Sequence, residues 1–220
     1  MPAKIFKTIT GRYSWLMLIP AGIFLYYYWL MLRLTLEYVP YDTTVSFLMI
    51  KQTEVTTLPE YRYIFYAHVY TSIFVLLFGF IQFFTFTSRA GKRLHRLSGY
   101  LYVVVLLAIA APSGLYMSVY ANGGLAAKLS FVLLSLLWWY TTFRAMQAIK
   151  NREFTSHRNW MIRSYALCLS AVTLRIWKVV IAYFFNLPPM DRYVIIAWLG
   201  WVLNLIVAEL IISRKFKTIK

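Results

Sequence analysis

The sequence predicts an all-α fold, a polytopic bundle of six membrane-spanning helices with helices two to five as its core. Three observations predict it. Hydrophobic residues make up 61% of the 220 residues and charged residues only 14%, against roughly half and about a quarter in an ordinary soluble domain. Mean hydropathy is +0.62. Six stretches are each apolar over the roughly 20 residues that a helix needs to cross a bilayer. Disorder is excluded on the same ground, because disordered chains are poor in apolar residues.

The first stretch, about Ser14 to Leu32, follows Lys4, Lys7 and Arg12. It is longer than a signal-peptide core and no small-residue cleavage site follows it, so it reads as a retained helix. The long outer loop from Arg33 to Arg62 holds Ser46-Phe47-Leu48-Met49-Ile50, which is too short to cross and is expected in the interface. The second stretch is about Tyr63 to Phe86 and the third about Leu97 to Val119, with a kink expected at Pro112-Ser113-Gly114. Asn122-Gly123-Gly124 is a turn. The fourth stretch is about Ala126 to Ile149 and the fifth about Trp160 to Phe185, with Thr155 or Ser156 as its N-cap. The sixth is about Tyr193 to Ile212. Tyr and Trp gather at stretch ends, as at Tyr26, Trp29, Tyr61, Tyr63 and Tyr66, which is where such rings anchor at an interface. With no internal repeat and no soluble segment, residues 1–220 read as one integral membrane domain.

Charge then sets the orientation. Lys+Arg number 23 and Asp+Glu 7, a net +16. With the N-terminus inside, sixteen of the 23 basic residues fall in inner segments and five in outer ones. Arg175 and Lys178 fall within the fifth stretch. The positive-inside rule therefore puts both termini in the cytoplasm. The basic balance needs no nucleic-acid partner, and the lipid bilayer is the partner it implies. A single cysteine, Cys168, excludes an intrachain disulfide framework.

Polar residues inside spans are costly and face the bundle interior. At helical spacing they form three stripes: His68, Ser72, Gly79 and Gln82; His95, Gly99, Tyr102 and Ser113; His157, Ser164, Cys168, Arg175 and Lys178. His95 and His157 share the inner end, with His68 near the outer surface about a membrane thickness away, so a three-histidine metal site is excluded. Depth also separates Arg175, in the outer half of its helix, from Glu209. Glu209 is expected to meet Arg163, Arg96 or His157, while Arg175 and Lys178 snorkel outward toward His68 or a headgroup.

Three readings of the inner end follow. In the first, His95 and His157 are axial ligands of a single b-type haem, Gly99 admits the macrocycle, and Arg96 and Arg158 pair with its propionates. The protein is then an electron-transfer protein, with iron as the only metal its histidines hold. In the second it is a non-redox carrier or scaffold. Lys92, Arg93, Arg96, Arg158 and Arg163 then hold an anionic lipid, a quinone or a small acid, with His68 and Arg175 as a second, outer polar site. In the third these residues only hold loops at the interface. No P-loop, G-x-S-x-G or H-E-x-x-H motif assigns an enzyme class.

The order of motifs resembles a prokaryotic membrane family known as domain of unknown function 2306. It rests on Phe65-Tyr66-Ala67-His68, Gly79-Phe80-Ile81-Gln82-Phe83, the run from His95 to Tyr102, Ala111 to Met117, His157 to Ala166, Ala171 to Arg175, and Ala197 to Leu205. The likeness spans about Tyr61 to Ile212 and supplies no reaction. A looser likeness is to six-span ascorbate-reducible cytochromes b, which carry one histidine on each of helices two to five. Here His68, His95 and His157 match helices two, three and five, while Trp138 and Trp139 occupy the middle of helix four. That likeness implies at most the inner haem of a pair.

Overall fold

The computed structural model describes residues 14–44, 46–83 and 88–217. Lys4, Lys7, Arg12, Phe86 and Lys220 lie outside the described residues. The described chain is helical throughout, without a strand. Its elements are α1 (Ser14–Leu36), α2 (Ser46–Met49), α3 (Gln52–Thr57), α4 (Pro59–Ile81), α5 (Arg89–Val105), α6 (Ala111–Val119), α7 (Gly124–Lys150), α8 (Phe154–Cys168), α9 (Ser170–Phe184) and α10 (Pro189–Lys217). Four continuous segments are long and apolar enough to cross a membrane: α4, Arg89–Val119, α7 and Pro189–Arg214. The pair α8 and α9, bent by 43°, makes a fifth. The described apolar part of α1, Ala21–Leu36, is shorter. The six expected stretches are compatible with this set.

Around the bundle α4 packs on α5, α6 on α7 and α7 on α8, while α4 also touches α8 across the centre. α10 lies against α7, α8 and α9, and α1 against α4 and α9. The core cluster, with Val75, Tyr102, Leu106, Ala110 and Leu167 almost wholly buried, sits between the middle spans. Close packing there depends on Gly79. A Cβ at this position would lie 2.4 Å from the ring of Tyr165 and 2.8 Å from that of Tyr102.

Local sequence explains the helix ends. Pro59 opens α4 with its φ already helical, after Leu58 in extended backbone. Ser88 caps α5, its Oγ accepting from the Gly91 N–H at 3.0 Å. α5 thus begins eight residues before the apolar run, and Lys92, Arg93, His95 and Arg96 lie on its first two turns. α7 ends in two reverse bonds: the Glu153 N–H donates to the Ala148 carbonyl at 2.9 Å and the Arg152 N–H to that of Ile149 at 3.1 Å. Arg152 takes the left-handed conformation, φ 60°, that this kind of ending requires. The chain then enters α8 at once, with the His157 N–H donating to the Glu153 carbonyl at 2.8 Å. The N-cap is therefore Glu153, without a side-chain cap bond. Thr155 and Ser156 lie inside the first turn, a correction to the expected N-cap.

The expected kink at Pro112 takes the form of a wide π-turn, Leu106–Ala110, just before it. The Ala111 N–H reaches back to the Leu106 carbonyl. The next donor in that register belongs to Pro112, which has none. Trp139 of α7 supplies it, donating Nε1–H to the Leu107 carbonyl at 3.2 Å. The break at Leu169 has no proline or glycine. There Asn204 of α10 donates to the Ala166 carbonyl in the last turn of α8, and to Thr173 Oγ1, both at 3.0 Å. A side chain placed at the ladder is enough to bend a helix.

The outer loop is a folded cap. Tyr66 donates to the Asp42 carbonyl at 2.7 Å, Tyr70 to that of Tyr38 at 2.7 Å, and the Phe47 N–H donates to Tyr38 Oη at 3.1 Å. Leu48 is wholly buried while Met49 and Ile50 are exposed, so α2 tucks one residue beneath itself. Lys51 is the surprise, 1% exposed. Its ammonium donates to Glu54 Oε1 and Asn122 Oδ1 at 2.7 Å each and to the Tyr120 carbonyl. These bonds tie the cap to the α6–α7 turn. Tyr66, expected as an interfacial anchor, thus belongs with Tyr38 and Tyr70 to the cap's hydrogen-bonding scaffold.

Two outcomes test this packing. Gly79→Ala lowers stability by about 1–3 kcal/mol through overpacking, measured by denaturant unfolding in detergent. Burial raises the Glu54 carboxyl, but the Lys51 ammonium more than offsets this and holds it below its ordinary value. Such a group stabilises the fold above the ordinary value of about 4.3, and the contribution disappears as pH falls through the lower folded value. Wild type therefore melts above Glu54→Gln at pH 7, and the two converge in acid.

Candidate functional site

The first two stripes and the His157-to-Cys168 part of the third meet inside the bundle. At the basic end, Gln82, the C-cap of α4, donates Nε2–H to Ser98 Oγ at 2.7 Å and to the His95 carbonyl at 3.2 Å. A Cβ on Gly99 would lie 3.1 Å from Gln82 Oε1. Gly99 therefore makes room for the Gln82 amide, not for the flat macrocycle expected there.

His157 of α8 donates Nδ1–H to the Ala145 carbonyl of α7 at 2.8 Å. A carbonyl only accepts, so Nδ1 carries the hydrogen, and in that tautomer the lone pair is on Nε2. His95 is close enough to interact electrostatically with His157. The His95 imidazole makes no hydrogen bond among the described residues. His95, on the second turn of α5, and His157, on the first turn of α8, thus lie at the same end of the bundle. Arg96 and Arg158 are exposed beside them and make no ion pair among the described residues.

Arg163 and Glu209 join α8 to α10 through two bonds, Nε to Oε1 at 2.5 Å and Nη2 to Oε2 at 2.8 Å. Trp160 lies under two guanidinium groups, that of Arg163 at 4.7 Å and that of Arg144 at 5.1 Å. Glu209 thus meets Arg163, and Arg175 is elsewhere. Arg175 donates to the Ala171 carbonyl of its own helix, and Lys178 is exposed on α9.

His68 lies nine residues into α4, deeper than its expected place near the surface. It donates Nδ1–H to the Ala110 carbonyl at 2.9 Å, where the π-turn meets α6. Among the described residues it is not bonded to Arg175. Along α5 and the π-turn, Ala110 stands about 22 Å from His95 at 1.5 Å per residue. No group of three His, Cys, Asp or Glu among the described residues is placed to hold a metal.

Sequence reasoning missed what lies between the two ends. Thr142 Oγ1 donates to the Trp138 carbonyl at 2.8 Å, so in its 2.6 Å contact with Ser164 it accepts. Ser164 in turn accepts from the Tyr102 hydroxyl at 2.7 Å. The result is a directed chain, Tyr102 to Ser164 to Thr142, at the centre of the bundle, and all three residues are wholly buried. The indole N–H of Trp138 is buried and closes no bond of normal geometry, but it interacts with the same Tyr102 oxygen. Tyr102 and Ser164 were on the stripes. Thr142 and Trp138 were not, because a threonine after two tryptophans reads as packing. Ser164→Ala leaves the Tyr102 hydroxyl without its acceptor and costs about 1–2 kcal/mol, measured by unfolding in detergent.

A family model described as "Predicted membrane protein (DUF2306)" matches residues 65–212, about two-thirds of the chain. That region holds all three histidines, the π-turn, the break at Leu169 and the Arg163–Glu209 pair. No curated protein and no solved structure matches, and the looser likeness to six-span cytochromes b is not shown. The chain belongs to the DUF2306 family of predicted membrane proteins.

Proposed function

We propose that His95 and His157 would hold the iron of a single b-type haem and that the protein would then carry electrons at the basic face of the membrane. The observation that carries this reading is the state of His157. With Nδ1–H held on the Ala145 carbonyl at 2.8 Å, the ring is oriented and Nε2 is free to ligate, the arrangement that ligating histidines adopt. The neighbouring His95 ring has no competing bond among the described residues. Arg96 and Arg158, exposed and without ion pairs there, would take the propionates. Gln82 fixes the helix that carries His95, and the buried Tyr102–Ser164–Thr142 chain keeps water from the far side of the ligand pair. The haem, when bound, supplies the one-electron iron couple.

A second reading rests on those same unpaired cations. Lys92, Arg93, Arg96 and Arg158 are exposed around two adjacent helix starts. They suit an anionic lipid, a quinone or a small acid held by a non-redox carrier or scaffold.

Spectroscopy separates the two. Protein purified from a haem-sufficient host shows a dithionite-reduced b-type spectrum, and His95→Ala and His157→Ala each abolish it. Colourless wild type overturns the haem reading. Anionic lipid retained by such colourless protein in native mass spectrometry, and lost from Arg96→Gln/Arg158→Gln, supports the second.

A further inference from the structure

A recess separate from the histidine pair opens where α7 passes into α8. Its volume is about 270 Å³ and its walls include Arg144, Gln147, Lys150, Asn151, Glu153 and Trp160. At about 30 Å³ per water-sized unit, it has room for a group of roughly nine non-hydrogen atoms.

Its polar groups are spare and its frame is fixed. The side chains of Gln147, Lys150, Asn151 and Glu153 make no hydrogen bond or ion pair among the described residues. Arg144 has no carboxylate partner there either, but it is held in place. It donates Nη1–H to Tyr140 Oη at 3.0 Å and lies over the Trp160 ring, which leaves its other N–H groups available. The loop that closes the recess is pinned by the two reverse bonds at the end of α7 and by the left-handed Arg152. The walls carry two cations and one carboxylate. That balance disfavours a bare dianion and suits a ligand carrying both signs, with an oxyanion for Arg144 and Lys150 and an ammonium for Glu153. The recess lies at the basic end of a membrane bundle, where lipid headgroups lie.

We infer that this recess binds a phosphoethanolamine group, its phosphate held by Arg144 and Lys150 and its amine by Glu153. The inference is independent of the haem reading, since it uses neither histidine. In detergent, the full chain is offered phosphatidylethanolamine, phosphatidylglycerol or soluble phosphoethanolamine, and retention is read by native mass spectrometry. Wild type keeps phosphatidylethanolamine in preference to phosphatidylglycerol. Lys150→Gln weakens retention of both lipids about tenfold, the loss of one charge-assisted contact. Glu153→Gln removes the preference and leaves phosphatidylglycerol bound. Soluble phosphoethanolamine that binds as tightly as the lipid upholds the chemistry and identifies the source as soluble. Equal retention of both lipids by wild type, or retention unchanged in Lys150→Gln and Glu153→Gln proteins that melt like wild type, overturns the inference. His95→Ala leaves lipid retention intact, so failure of one proposal is distinguishable from failure of the other.

Discussion

A helix surrounded by lipid has no water to satisfy a broken backbone ladder, and the rest of this fold follows from how the breaks are mended. Each irregularity in a span is met by a side chain from a neighbouring helix. Trp139 serves the carbonyl of Leu107 that Pro112 leaves without a donor, and His68 serves that of Ala110. Asn204 serves that of Ala166 at the bend of the fifth span. These bonds fix which helices are neighbours. α7 must face the π-turn, α4 must lie beside α6, and α10 must cover the hinge. The stripes of small and polar residues are then brought together as a consequence.

How far the sequence reveals this depends on the range of the interaction. Apolar length is local, so the all-helical membrane class was readable, and helical spacing showed that Gly79, Tyr102 and Ser164 share an interior. Apolar runs mark where lipid begins, whereas the helices begin earlier, in charged sequence, at Arg89 and Phe154, so the expected N-cap at Thr155 or Ser156 falls just inside the helix that Glu153 caps. The bend at Leu169 was hidden for another reason. Its cause lies in Asn204, 38 positions from the carbonyl it takes. Lys51 was counted only as one of the few outer charges, and nothing near it in sequence shows that it is buried with acceptors some 70 positions away. Of the candidate site, the shared depth of His95 and His157 was legible. The filling of the Gly99 face by Gln82 was not, because spacing shows a gap in a helix surface and does not show what fills it.

The two ends of the bundle are built differently, and this bears on where chemistry is placed. At the cap end the hydroxyls of Tyr38, Tyr66 and Tyr70, with Asp42, Glu54 and Lys51, are engaged with one another or with backbone. At the basic end, Arg96, Arg158, Lys150 and one imidazole stand without such partners among the described residues. Groups whose bonding capacity is already used hold structure. Groups left unsatisfied at an interface are the ones available to a ligand.

The buried Lys51 also orders the biogenesis of the molecule. Its acceptors, the Tyr120 carbonyl and Asn122, are synthesised about 70 residues after it. They reach the same side of the bilayer only once the whole third span has been inserted. Until then the ammonium has only water and the nearby Glu54, and the cap has nothing to close upon. Assembly of the cap is therefore a late event that reports the correct insertion of a distant hairpin. A chain with that turn misplaced is left with an open, tyrosine-rich loop and with Lys51 lacking its Tyr120 and Asn122 acceptors.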